Sequence, residues 1–181
     1  MNKSIDKLKY QVVLEEFLAG REWEDELSID FEEKKVSLDT GISSGEAGFK
    51  GHLIIEANDQ TDLVDVFIYY DQPCKAAKLE QMSLLMNEIH CRWNFGRFMV
   101  FPDGNVRWCH RVDFEGSQPT GLSIERIVQP GWGVAEKFAG VIAAVALTKQ
   151  TAADAIREYD EEQEAKEQKE SPSEGGVPTE L

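Results

Sequence analysis

The sequence predicts an α+β domain in which helices pack on an antiparallel β-sheet. Three observations predict it. Between Leu79 and Trp93 apolar residues recur at helical spacing. On either side the pattern switches to alternation with a period of two. The links between successive alternating runs are short, and short links require antiparallel neighbours, because parallel strands need long crossovers. The order of runs is helix, four strands, helix, two strands, helices, which packs helices on a sheet.

The clearest local signals lie between Asp71 and Val112. Asp71 or Gln72 can cap a helix, and Pro73 fits its first turn, where a missing N–H costs nothing. Leu79, Met82, Met86, Ile89 and Trp93, widened by Leu85, then form one apolar face. The expected helix is about six turns long. Asn94 and Gly96 supply the stop, since both tolerate a left-handed backbone. Next, Arg97, Met99 and Phe101 alternate with Phe98 and Val100. Pro102-Asp103-Gly104-Asn105 reads as a turn. The returning strand puts Val106, Trp108, His110 and Val112 on one face and Arg107, Cys109 and Arg111 on the other. A lone hairpin is marginal, so this one must join a larger sheet, with the helix across one face.

The remaining elements follow in order. Tyr10, Val13, Leu14, Phe17 and Leu18 predict a first helix over Ile5 to Ala19, capped by Ser4 and ended by Gly20. Leu27 to Phe31 and Val36 to Asp39 alternate as strands. Gly41 to Gly51, with its glycines and serines, reads as a loop. Phe49 to Ile55 opens a third strand, and Leu63 to Tyr70 is a fourth, apolar enough to be central. Ser123 to Val128 reads as a short helical turn ended by Pro130-Gly131. Ala135 to Leu147 is a further helix. Thr151 to Asp154 resembles a capping box, with Asp in place of Glu, opening a last helix. Residues 1–159 are expected to form one domain, and residues 160–181 an acidic, disordered tail.

Composition narrows the function classes. The chain has 181 residues and a net charge of −15. Glu158 to Leu181 hold nine acidic and two basic residues, so the rest of the chain is acidic too. Non-specific binding to nucleic acid or to an anionic membrane is disfavoured. A protein partner is the easier inference. Three cysteines at unrelated spacings make no disulfide framework. The charged stretch Met1 to Lys9 lacks an apolar core of signal-peptide length, and the apolar run Phe138 to Leu147 is too short to span a bilayer. A reducing cytoplasm is expected.

Chemical constellations are sparse. His90, Cys91, Cys109 and His110 invite a metal or a Cys/His-dependent hydrolase using Cys91 or Cys109 with His110. Yet each pair points in diverging directions, on a helix and on a strand. Half-buried structural roles are the better reading, and no metal, cofactor or catalytic residue is assigned. No phosphate loop, nucleophile elbow or H-E-x-x-H is present. Gly131-Trp132-Gly133 suggests a hinge or close-packing turn, not a nucleotide loop. Trp93 and Trp108 read as core. The residues expected to contact a partner are Trp132, Phe98, Met99 and Phe101, because aromatic residues concentrate at interface centres.

From Leu14 to Tyr159 the chain resembles the YbjN family of bacterial sensory transduction regulators. The likeness rests on element order and on Met86-Asn87 through Phe95-Gly96-Arg97-Phe98, followed by Gly104-Asn105-Val106. The closing stretch Thr148 to Ile156 fits as well. The resemblance implies a type III secretion chaperone-like fold. It also implies a small, acidic, cytoplasmic, homodimeric protein that holds a partner polypeptide and has no defined active site. A dedicated secretion chaperone with one cargo is the narrower form of that expectation.

Overall fold

The computed structural model describes residues 7–44 and 48–170. Six strands form one antiparallel sheet: β1 (Ser28–Asp30), β2 (Lys35–Ser43), β3 (Lys50–Asn58), β4 (Leu63–Tyr70), β5 (Arg97–Val100) and β6 (Val106–Asp113). Their spatial order is β1-β2-β3-β4-β6-β5, so the second hairpin docks on the first four strands through β6. Among the described residues four α-helices accompany the sheet: α1 (Lys9–Gly20), α2 (Leu79–Arg92), α3 (Gly121–Leu147) and α4 (Ala152–Glu170). The α+β class expected from the sequence is therefore the observed one.

Strict alternation gives the sheet two unlike faces. Val36, Leu38, Leu53, Ile55, Val64, Val66, Ile68, Phe98, Val106 and Trp108 are buried on one. The helices cover that face. Tyr70 donates from its hydroxyl to the Ala135 carbonyl of α3 at 2.7 Å, and Phe98 meets Phe138 edge-on. Burial holds the Tyr70 phenol well above its ordinary pKa. Tyr10 of α1 donates to the Asp62 carbonyl at 3.1 Å, fixing α1 over the β3–β4 turn. On the opposite face, Ser37, Ile54, Asp65, Phe67, Tyr69, Arg107 and Cys109 are only half-buried, and Lys35, His52, Arg97 and Arg111 are exposed.

Several elements differ from expectation, each for a tertiary reason. The helix after β4 starts six residues past Pro73: a 3-10 turn spans Ala76–Lys78, and α2 begins at Leu79 with no side-chain cap. Asp71 and Gln72 do not cap it. Cys74 instead donates its backbone N–H to the Gly104 carbonyl at 2.9 Å, which ties the extended segment to the β5–β6 turn. Gly104 is needed there, with φ +90° and no room for a Cβ beside the Cys74 carbonyl. The expected loop from Gly41 to Gly51 shrinks, because Gly41 to Ser43 extend β2 and Lys50-Gly51 begin β3. Gly45 to Ala47 and the expected Ser4 cap lie outside the described residues.

The largest difference is α3. Pro130 and Gly131 do not end a helix; one helix runs through both. Pro130 removes one hydrogen bond at a cost of about 3 kcal/mol. Thirteen buried residues line the same helix. Full burial of one Val, Ile or Phe side chain contributes about 1.5–3 kcal/mol, so the stripe outweighs the proline several times over. Joined in this way, α3 is by composition long and apolar enough to cross a bilayer, although half of its most apolar window is buried within the protein. Thr151 accepts from the Asp154 N–H at 3.2 Å, one half of the expected capping box, while its hydroxyl donates to the Asp154 carboxylate at 2.7 Å. α4 then continues to Glu170, through the first part of the stretch expected to be a disordered tail. Ser171 to Leu181 lie outside the described residues.

Candidate functional site

The residues expected to contact a partner fall in three places. Phe98 does not reach the surface: it is 2% exposed, packed between Tyr70 and Phe138. Its strand position makes it point inward, so it supports β5 from behind. Trp132 lies on α3, in a helix and not a loop, half-buried beside Trp23 at 6.4 Å. Its indole N–H donates to Glu136 at 2.6 Å, and the Arg21 guanidinium sits 5.5 Å from its ring. Arg21 also forms a two-pronged pair with Glu125 at 2.7 and 2.9 Å, joining α1 to α3. That cluster is a packed corner. Met99 and Phe101, in contrast, face the open side of the sheet.

Cross-strand register explains what gathers around them. On the open face Tyr69 of β4 lies opposite Arg107 of β6, which lies opposite Met99 of β5. One pair along, Phe67, Cys109 and Arg97 line up in the same way. Asp65 lies opposite Arg111. Arg107 is the centre. Its guanidinium is 4.6 Å from both the Phe67 and Phe101 rings and 5.5 Å from the Tyr69 ring. It donates to the Tyr69 hydroxyl at 2.6 Å. Cationic groups over aromatic faces gain about 0.5–2 kcal/mol, more as water is excluded. Cys109 and Met99 bring their sulfurs to 3.7 Å. Arg111 grips Asp65 with two bonds of 2.6 and 2.8 Å, and that carboxylate raises the Arg111 pKa.

Asp65, Phe67, Arg97, Met99, Arg107 and Arg111 line a concavity of about 580 Å³, with Tyr69 and Phe101 packed on the Arg107 guanidinium beside it. It mixes apolar rings and thioether with arginines, the composition of a recognition surface. The sequence singled out Met99 and Phe101 but not Phe67, Tyr69 and Arg107, which the structure places beside them. The alternation of β4 and β6 was the available signal, and only the pairing of the two strands turns it into a site.

The Cys and His residues do not assemble into one centre. His90 accepts from the Phe98 backbone N–H at 2.7 Å, pinning α2 to β5. His110 lies on the opposite face of β6 from Cys109, its ring stacked 4.3 Å from Phe95. Burial lowers the pKa of both histidines, with Arg97 adding to the effect at His90. Burial also pushes the Cys109 thiol up, which disfavours the thiolate that a nucleophile needs. Cys91 is exposed on α2. Among the described residues no group of three or more His, Cys, Asp or Glu side chains is placed to hold a metal ion.

No protein-family profile matches the sequence, and no curated protein matches it. Solved structures do resemble it. A chain in the crystal structure of the ExsC–ExsE complex aligns over 74% of this chain and 94% of its own, with 16% identity and a TM-score of 0.50. A chain in the HopA1–SchA chaperone–effector complex aligns over 74% and 92%, with 13% identity and a TM-score of 0.48. At such low identity the likeness concerns the fold: the six-stranded antiparallel sheet with helices packed on it is of the type III secretion chaperone-like class that the sequence leads one to expect.

Proposed function

We propose that the chain is a non-enzymatic protein-binding module of chaperone-like kind. The observation that carries this reading is the open sheet face. Phe67, Tyr69, Met99 and Phe101 stand partly exposed around Arg107, on a scaffold whose other face is packed by helices. A solvated antiparallel face is ordinarily polar, so aromatic rings there mark a contact surface. The neighbour of like fold was solved as a two-protein complex, which agrees with the reading. The finer description is a cytoplasmic homodimer acting as a regulator of the YbjN type, without a nucleic-acid or membrane partner. The net charge of −15 supports the exclusion of those two partners, and three cysteines that all remain unpaired support a reducing compartment.

The test is capture from native extract with the tagged full-length chain, run beside the double variant Phe67→Asp/Met99→Asp. A partner identified by mass spectrometry with the wild type and lost with the variant is the expected result. Identical recoveries would move the binding surface elsewhere, and recovery of nothing above background by either would remove the reading. Light scattering that gives a strict monomer at high concentration would remove the dimer.

A further inference from the structure

The concavity on the open face is cationic in a strongly acidic chain. It gathers Arg97, Arg107 and Arg111 against the single carboxylate of Asp65, while the whole chain carries −15. Asp65 is already engaged by both prongs of Arg111. Arg97 and Arg107 have no carboxylate partner among the described residues. Arg107 is fixed, not mobile: rings at 4.6 Å flank it, and the Tyr69 hydroxyl holds one of its nitrogens. Its Nε is buried with no acceptor. A half-buried guanidinium without a counter-ion leaves charge uncompensated, and a pre-positioned one loses little entropy when an anion arrives.

We propose that this concavity receives an extended acidic segment of a partner polypeptide, one in which Asp or Glu alternates with apolar residues. The proposal rests on the protein-binding reading above. Carboxylates meet Arg107 and Arg97 in the forked geometry that guanidinium favours. Apolar side chains between them cover Phe67, Phe101 and Met99. The spacing fits an extended chain, because Arg97 sits two residues from Met99 along β5, Arg107 lies opposite Met99, and Arg111 is four residues from Arg107 along β6. β5 is also an edge strand whose outer side pairs with no other strand among the described residues, so it can take an added strand. Nucleic acid would offer phosphates to the same arginines, but its backbone cannot pair with the open edge of β5 as a polypeptide strand can.

The experiment uses the full-length chain and fluorescence anisotropy with a labelled peptide of alternating Glu and Val. Companion peptides carry Gln or Lys for Glu, and a thymidine oligonucleotide matches the charge of the Glu peptide. The Glu peptide is expected to bind at least about tenfold tighter than the Gln peptide. Its binding should weaken about tenfold in Arg107→Met and in Arg97→Gln, and lose part of its salt dependence. Arg97 is exposed, so its variant leaves the packing intact, and Arg126→Gln on α3 serves as a charge-matched control that should change nothing. Equal binding of the Gln peptide, indifference to Arg97→Gln, or tighter binding of the oligonucleotide would overturn the proposal. If only the Gln or Lys peptide binds, the acidic ligand is wrong and the protein-binding reading stands. If no peptide binds, the proposal falls, and partner capture alone then decides the broader reading.

Discussion

The same substitution made at three glycines of α3 should give opposite signs. Gly131 lies under the indole of Trp108: a Cβ added there would stand 2.4 Å from Cη2 and Cζ3 of that ring. Trp108 cannot step aside easily. It is fully buried, its ring stacks with Phe95, and its N–H donates to the Phe95 carbonyl at 3.1 Å. Overpacking of this kind costs about 1–3 kcal/mol. Replacing a helical glycine by alanine recovers about 1 kcal/mol of propensity. Gly131→Ala should therefore destabilise the protein by up to about 2 kcal/mol. Gly133 and Gly140 have no atom within 4 Å of an added Cβ. Gly133→Ala and Gly140→Ala should each stabilise by about 0.4–1 kcal/mol. Urea unfolding followed by tryptophan fluorescence reads all three as shifts of the midpoint at constant m. A Gly131→Ala protein as stable as the wild type would refute the tight helix–sheet contact, and with it the continuous α3.

Other outcomes follow from the same structure. Folding depresses the pKa of His90 and His110, so the stability they contribute is complete above about pH 6.5 and is lost as pH falls through the folded values. His90→Gln keeps an acceptor for the Phe98 N–H without titrating, and should flatten the urea midpoint between pH 7 and pH 5; an unchanged slope would show that the histidine does not carry it. Arg21→Lys should cost nearly as much as Arg21→Ala, about 1 kcal/mol, because a lysine loses both the fork to Glu125 and the stacking on Phe17, Trp23 and Trp132. Equal stability of Arg21→Lys and wild type in chemical denaturation would contradict that. Tyr70→Phe should lose about 1 kcal/mol by leaving the Ala135 carbonyl short of its 2.7 Å bond. In hydrogen exchange, β4 amides should be among the slowest, while the exposed turns of α4 after Asp160 should exchange early; comparable rates would refute the assignment of the core.

Local chemistry made part of this fold legible in the sequence. Leu63 to Tyr70 is so nearly continuous in apolar character that its strand has the predicted bounds, and the turn around Gly104 specifies its own hairpin. Errors arose where a distant contact overrules a local signal. Gly41 looks like the start of a loop, yet it lies in β2, paired with His52 of β3. Pro130-Gly131 looks like a stop, yet Trp108 requires the glycine inside a helix. Pro73 looks like a start, yet the Gly104 carbonyl holds Cys74 extended. The candidate site was half visible. Met99 and Phe101 stood out by type, whereas Arg107 read as an ordinary outward-facing charge. Its bond to Tyr69 joins residues 38 apart in sequence, and no periodicity reports a pairing at that range.

The placement of β6 has a consequence for biosynthesis. The first four strands are joined by tight links and can zip up as they leave the ribosome, each beside its predecessor. The next pair arrives in reverse: β5 emerges before β6 but ends up outside it. Until residue 113 has been made, the backbone of β4 presents an apolar, unpaired rim, since Leu63 waits for Asp113 and Tyr69 for Arg107. Unpaired rims of this kind recruit other nascent chains. Translation paused between β4 and β6 should therefore be the moment at which this protein most needs a cellular holdase, and slower elongation over that interval should lower its soluble yield.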